Sequence, residues 1–346
     1  MNIHYSVQLH PLIFNKPAKT SRNVFEKKLH WIVRIWNKNN PSIVGIGEAA
    51  PIELLSPDFL PDLDLILLNK LEELESVNHL NDIDLSSFPS IKFALECALL
   101  DLANGGKQIY YSSNYLNGNP IPINGLVWMN TLDEMLEEAY LKVQQGYNCI
   151  KFKIGSYDFD SECRLLESFR HSSLGKSAII RLDANGAFDK DDALLKIKEL
   201  NRFKVHSIEQ PIKAGQWEDM AKICKDAIIP IALDEELIGV KPNLRNQLLT
   251  FINPQYLIIK PTLIGGFMES EAWINEAKIK NIGWWATSAL EGNIGLNAIA
   301  QWVGKFNPIL PQGLGTGLLY KNNFESRSEI MAGKLYYKNS GIIYDS

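Results

Sequence analysis

Six ionisable residues sit at the ends of short β-rich runs. Lys151 and Lys153 lie in CIKFKIG, Asp183 in IIRLDAN, Glu209 in HSIEQP, Asp234 in IALDEE and Lys260 in LIIKP. From Asp183 onward the intervals are 26, 25 and 26 residues, one strand–helix unit each time. A solvated strand end is the ordinary explanation for any one of these charges. It does not explain a series at constant spacing. Side chains alternate along a strand, so Lys151 and Lys153 share one face and Ile150, Phe152 and Ile154 the other. With the apolar face on surrounding helices, the charges line an interior, and unpaired interior charge is costly.

A bound cation resolves that cost. Asp183, Glu209 and Asp234 offer oxygens suited to a hard ion such as Mg²⁺, with Mn²⁺ as an alternative, and water and substrate oxygens complete the shell. The lysines then flank the ion. Near a like charge and a cation, a partly desolvated lysine is expected to have its pKa pushed down, so that its amine can act as a base. A proton next to a carboxylate is very weakly acidic, and the charge left on its removal needs electrophilic help. The residues therefore point to proton abstraction α to the carboxylate of a small molecule.

The elements that must hold these groups are legible in outline. Ile3 to Leu9, Lys28 to Trp36 and Ile43 to Glu48 read as three sequential strands of an antiparallel meander, with a turn at Asn39-Asn40-Pro41. Helices are expected over Pro61 to Val77 and Pro89 to Asn104, the second stopped by Gly105-Gly106. From about Pro120 strand-like and helical runs alternate. The strand-like runs are Ile121–Met129, Cys149–Ile154, Ala178–Leu182, Val205–Glu209, Ile229–Leu233, Tyr256–Lys260 and Gly283–Ser288, with a last short run near Ile309. This rhythm means a parallel sheet with crossover helices, and so many units in this length favour a closed barrel. The expected organisation is an α+β part over 1–118, a barrel over 119–319, and a tail, 320–346, that returns to the first part. In a parallel barrel the strand C-termini form the mouth where active sites are built.

Composition agrees with a folded enzyme and narrows its partners. The chain has 346 residues, 46% apolar and 22% charged, enough for a substantial core. Its formal charge is −5 and it has no basic block, which argues against nucleic acid or a membrane surface as partner. Cys97, Cys149, Cys163 and Cys224 form no C-x-x-C pair and are expected as buried thiols, suiting a reducing cytoplasm. No signal peptide or membrane span is expected. No motif encodes an oligomeric state.

The ladder resembles that of the enolase superfamily, in its muconate lactonizing subgroup: K-x-K on the second barrel strand, carboxylates on the third to fifth and lysine on the sixth. This resemblance implies a modified (β/α)₇β barrel with an α+β capping domain. Within the subgroup, FPSIKFALECALLDLANGG, RLDANGAF, SALEGNIGLNAIAQW and PQGLGTGLLY are similar to the o-succinylbenzoate synthase family of menaquinone biosynthesis. That family dehydrates 2-succinyl-6-hydroxy-2,4-cyclohexadiene-1-carboxylate. By the resemblance Lys153 removes the α-proton and returns it to the departing hydroxyl, Lys260 is a cation on the opposite face, and Lys151 assists the carboxylate and lowers the pKa of Lys153.

Other positions are expected near substrate. Asn185 ends the third strand, where an ordinary Asx turn is an equal explanation. Backbone amides of Ser288, Ala289 and Glu291 after strand seven, and of Gly313, Gly315 and Thr316 after strand eight, are expected to meet the succinyl tail. Thr20-Ser21-Arg22 and Gly47-Glu48-Ala49-Ala50-Pro51 resemble capping loops, with Arg22 as the ligand contact. Arg181 is placed beneath the site or in a structural ion pair, and His206 toward the helix layer.

Alternatives share the ladder. N-succinylamino acid racemases use both lysines as acid and base, and muconate cycloisomerases are a further option. Dipeptide epimerases of the subgroup carry D-x-D near strand eight, where this chain has GLGTGLL without an acid. A metal-stabilised scaffold would need the carboxylates but not the lysines.

Overall fold

The computed structural model describes residues 1–19 and 24–338. Arg22, with the rest of 20–23, lies outside the described residues. The N-terminal part contains five strands: β1 (Ile3–Leu9), β2 (Leu12–Lys19), β3 (Val24–Lys28), β4 (Trp31–Asn37) and β5 (Asn40–Ala49). β1, β4 and β5 form an antiparallel sheet in that order, while β2 and β3 pair separately as a hairpin. The meander expected from sequence is thus interrupted by an inserted hairpin. Lys28 belongs to β3, and the chain leaves that ladder before Trp31. Pro17 lies inside β2, and a proline there reads as a breaker; the strand tolerates it as part of a two-stranded edge.

Two helices cover this sheet. α1 (Leu63–Ser76) buries Leu63, Leu67, Leu71 and Leu74, one face at helical spacing. α2 (Pro89–Ala103) starts on a proline at its first turn, where no intrahelical N–H is needed. Its Ile91, Ala94, Leu95 and Ala98 join the N-terminal core, while Phe93 and Cys97 join the barrel core.

The barrel strands after β6 (Ile121–Pro122) are β7 (Gly125–Val127), β8 (Cys149–Lys153), β9 (Ile179–Asp183), β10 (Val205–Glu209), β11 (Ile231–Leu233), β12 (Tyr256–Ile259) and β13 (Gly283–Ala286). They form one sheet in sequence order, and each neighbouring pair is parallel. The intervening helices are α3 (Leu132–Gln144), α4 (Phe159–His171), α5 (Ala193–Leu200), α6 (Trp217–Asp226), α7 (Arg245–Ile252), the single turn α8 (Pro261–Ile264), α9 (Gly266–Ile279) and, after β13, α10 (Asn293–Val303). The eighth position is two residues long. Gln312 bridges Ile123 and Gly313 bridges Thr287, both parallel, and this joins the two edges of the sheet. The expected run at Ile309 stops short of this bridge, and Ile309 itself is 93% exposed.

The fold is therefore a modified (β/α)₇β barrel with a separate α+β part. Residues of the returning tail do two things. Asn15 N donates to Leu319 O and Lys321 N to Ile13 O, tying the tail to the N-terminal hairpin. The later strands, β14 (Ser328–Met331) and β15 (Lys334–Tyr337), instead pair with β6 on the barrel segment. This departs from the expected return of the whole tail to the first part, because Leu335 completes the barrel core. Among the described residues no helix is long and apolar enough to cross a membrane.

Candidate active site

Alternation places the ladder as expected. Ile150 and Phe152 are fully buried in the barrel–helix core, so Lys151 and Lys153 face the interior. Strand registers set Lys153 beside Asp183, and Asp183 beside Glu209. The interior is dry here: Lys151 is 5% exposed, Asp183 1%, Glu209 2% and Asp234 2%.

The charges interlock. Lys151 Nζ lies 2.9 Å from Asp183 Oδ2 and donates to Glu209 Oε2 at 2.6 Å. Lys153 Nζ donates to Asp183 Oδ2 at 3.0 Å and to Asn185 Oδ1 at 2.7 Å. On the other side Lys260 Nζ donates to Asp234 Oδ2 at 2.5 Å and stands 3.9 Å from Glu209 Oε1. Lys153 and Lys260 thus flank the carboxylate layer, with Lys151 wedged inside it.

Burial alone would push Lys151 and Lys260 down, but Asp183, Glu209 and Asp234 outweigh it, and both ammonium groups are held above the usual lysine range. For both, ion pairing with the acids wins over desolvation. Burial also opposes charge on Asp183, yet three lysines hold it well below the usual carboxylate range. Glu209 and Asp234 go the other way, raised by burial and by crowding among acids.

Among the described residues no three metal-ligating side chains already converge as a cluster. The expectation of carboxylates meeting at one point is modified accordingly, since each is drawn toward a lysine. The donor set nevertheless suits a hard cation. Three buried acids act on one another electrostatically, and Glu209 Oε1 is buried with no hydrogen-bond partner. An ion coordinated by these oxygens would satisfy that atom and relieve the crowding.

The remaining expected residues fall into two groups. Asn185, at φ 45°, joins Lys153 to Glu235, donating from Nδ2 to Glu235 Oε1 at 3.0 Å. Its own N–H is taken by Asp183 Oδ1 at 3.1 Å, an Asx turn made by Asp183, while the Asn185 side chain itself turns to Lys153 and Glu235 instead of forming the expected turn. Ser288, Ala289, Glu291 and Thr316 form a closed network. Glu291 accepts from Thr262 Oγ1, Ser288 Oγ and the Ala289 N–H, and Thr316 Oγ1 donates to Ser288 Oγ. Ser288 N is bonded to Gly313 O, and Gly313 N to Ala286 O. The amides of Ser288, Ala289 and Gly313 are thus engaged within the protein, contrary to the expectation that they await a ligand. Gly315 has room for a methyl group: an added Cβ would meet Asn124 O and Ile123 Cδ1 at 3.7 Å, ordinary van der Waals contact.

Beneath the site, Arg181 takes the first of its two expected placements, while His206 differs from expectation. Arg181 stacks on Trp285, its guanidinium carbon 3.7 Å from the ring centroid, and donates to Pro311 O at 2.7 Å. His206 contacts Tyr256 and Trp285 inside the barrel rather than the helix layer. The cause is an irregularity between Val205 and Ser207 that breaks strict alternation.

Sequence reasoning missed Glu235, Gln210, Lys28 and His30, and it read Glu48 as part of a capping loop, whereas Glu48 is a buried residue of β5. Gln210, at φ 40°, accepts from Asp234 N and Glu236 N and so fixes the end of β11. Glu235 had a signal, the acidic triplet Asp234-Glu235-Glu236.

The family model described as "Enolase C-terminal domain-like" matches residues 134–336. The chain is 43% identical to the o-succinylbenzoate synthase of Desulfotalea psychrophila, over 94% of this chain and 96% of the relative. The crystal structure of MenC from Desulfotalea psychrophila superposes with a TM-score of 0.82 at 39% identity, covering 97% of this chain and 100% of that one. A dipeptide epimerase of Enterococcus faecalis, solved with Mg and the dipeptide L-Leu-L-Tyr, has a TM-score of 0.81 at 20% identity, covering 98% of each chain, a likeness of fold alone. On these grounds the chain belongs to the enolase superfamily and, within it, to the o-succinylbenzoate synthase family of lyases.

Proposed function

We propose that this chain dehydrates 2-succinyl-6-hydroxy-2,4-cyclohexadiene-1-carboxylate to o-succinylbenzoate, a step of menaquinone biosynthesis, in the cytoplasm. The observation that carries the reading is the pair of lysines on opposite sides of one buried carboxylate layer, in a chain 43% identical to a synthase. Residues 119–319 are read as the catalytic barrel and 1–118, with part of the tail, as its cap.

Asp183, Glu209 and Asp234 would hold Mg²⁺, or Mn²⁺ in its place. When bound, the ion supplies electrophilic stabilisation of the charge that builds on the substrate carboxylate. To accept a proton, Lys153 must enter the reaction as a neutral amine. Lys153 takes the α-proton. The C–H electron pair passes into the ring and carboxylate system, then returns to expel hydroxide from the neighbouring carbon. Lys153 gives its proton to that hydroxide, water leaves, and the ring becomes aromatic. Lys260 remains an ammonium on the opposite face, favouring the electron-rich ring. Lys151 keeps Asp183 and Glu209 in register. Asn185 orients Lys153.

Racemisation of N-succinylamino acids is the second reading, since the same two lysines could exchange protons on both faces. The absence of an acid in GLGTGLL disfavours dipeptide substrates. The test compares kcat/KM for dehydration and for racemisation on one preparation at saturating Mg²⁺. Dehydration is expected to lead by orders of magnitude; a reversed ratio moves the chain to racemase.

A further inference from the structure

A buried cation that the proposed chemistry does not use joins the N-terminal part to the mouth of the barrel. Lys28 closes β3 and is 6% exposed. Its ammonium donates to the carbonyl oxygens of Ala50 at 2.6 Å, Ala289 at 3.0 Å and Leu290 at 3.0 Å. Ala50 follows β5, and Ala289 and Leu290 lie in the loop after β13. One side chain therefore ties together the hairpin base, a capping loop and the strand-seven loop.

The match is chemical as well as spatial. An ammonium has three N–H donors, and three carbonyls take them. A methionine would fill the same volume without the cost of burying a charge, so the charge serves the carbonyl bonds rather than packing. Leu290 sits at φ 61°, a conformation that a branched side chain adopts only when its surroundings hold it. Its carbonyl is gripped twice, by Lys28 and by Tyr320 Oη at 2.8 Å.

We infer that Lys28 is a positioning residue, whose three carbonyl bonds lock the strand-seven loop against the capping loop and so fix one wall of the barrel mouth where substrate enters. The assignment of that wall rests on the proposed dehydration. The lock depends on protonation, because a neutral amine has only two donors for three carbonyls. Burial lowers the Lys28 pKa to about 8, against the pull of Glu291, Glu48 and Asp58. The other titratable groups facing the joint are His30, just before β4 and hydrogen-bonded to Glu48, and Tyr320 of the tail.

The test uses the full-length Mg²⁺-loaded chain, Lys28→Met, and Lys38→Met as a control at a surface ion pair. At about pH 7, Lys28→Met should raise KM about tenfold or more and leave kcat within about threefold, the split expected when binding rather than chemistry is lost. Amide exchange over 48–52 and 288–292 should accelerate about tenfold, with the barrel strands unchanged. Corrected for intrinsic rates, the wild type should loosen in the same two segments between about pH 7 and pH 9.5, and Lys28→Met should not. Unchanged protection in those segments, or a loss confined to kcat, overturns the inference. Should wild type fail to turn over the cyclohexadiene, the proposed function falls and the exchange arms still decide the role of Lys28. Should Lys28→Met fail to fold, the pH arm on the wild type decides it alone.

Discussion

Lys153 and Lys260 carry the same group on opposite walls, but their neighbours differ. Lys153 shares Asp183 with Lys151 and leans on the neutral amide of Asn185, whereas Lys260 grips Asp234 directly. Lys153→Ala should lower kcat by about 10²–10⁴-fold with circular dichroism unchanged, the range expected for loss of a general base. A loss of only a few-fold would reassign the base. Lys260→Arg separates the two readings, because a guanidinium keeps its charge but does not release a proton at working pH. Dehydration should survive in part, and any racemisation should vanish. At the carboxylates, Asp183→Asn, Glu209→Gln and Asp234→Asn should each weaken Mg²⁺ affinity in calorimetric titration. Chelation should abolish turnover, and Mg²⁺ or Mn²⁺ should restore it. Full activity after exhaustive dialysis against chelator would refute a metal site.

The elements that bring these residues together depend on close backbone approaches. Gly45 and Gly47 face α2 across the N-terminal sheet, where an added Cβ would stand 2.0 Å from Ala98 O and 1.9 Å from Ala94 O. Neither carbonyl can move without breaking the helix ladder. Gly47→Ala should therefore destabilise by at least about 2–3 kcal/mol, an overpacking effect at the high end of its range. Gly315→Ala, with room for the added methyl group, should stay within about 0.5 kcal/mol. Urea midpoints at constant slope compare the two, and equal midpoints would contradict this account of the β5–α2 contact. The same elements explain what could be read in advance. Asp183 to Lys260 were legible because strand–helix units there repeat at intervals of 26, 25 and 26 residues. β2 was not, because Pro17 masks its alternation. The eighth barrel position was not, because two bridge residues leave no periodicity to detect. His206 was misplaced by a single irregularity in β10. Lys28, His30 and Glu48 meet only in three dimensions, across the joint between sheet and barrel, so no spacing announces them.

At the scale of the whole molecule, acids from the N-terminal part are set against helix N-termini of the barrel. Glu48 on β5 accepts from Gly292 N at 2.6 Å and Gly295 N at 2.7 Å, where α10 begins. Glu96 on α2 accepts from Phe267 N at 2.5 Å, where α9 begins. Both helices have unpaired amides and positive dipole ends there, so each acid fastens one part to the other. The two differ in what supports their charge. Glu48 has two amides and His30, which together outweigh burial and hold it below the usual range. Glu96 has the Phe267 and Met268 amides and the charge of Lys92, which do not outweigh burial. Burial raises it to about 7, and its Oε1 has no hydrogen bond. An acid with a raised folded pKa holds its proton more tightly in the native state. Its stabilisation is complete below the unfolded value near 4.5 and is lost as pH rises toward 7. A shift of this size corresponds to roughly 3 kcal/mol. Glu96→Gln keeps an oxygen for Phe267 and mimics the protonated acid. It should match the wild type in denaturant unfolding at about pH 4.5 and exceed it by about 1–3 kcal/mol at about pH 8, with the gap opening across the interval between. A gap of the opposite sign at the higher pH would mean that the α9 amides hold Glu96 ionised, and that this joint, like the one at Glu48, is sealed by charge.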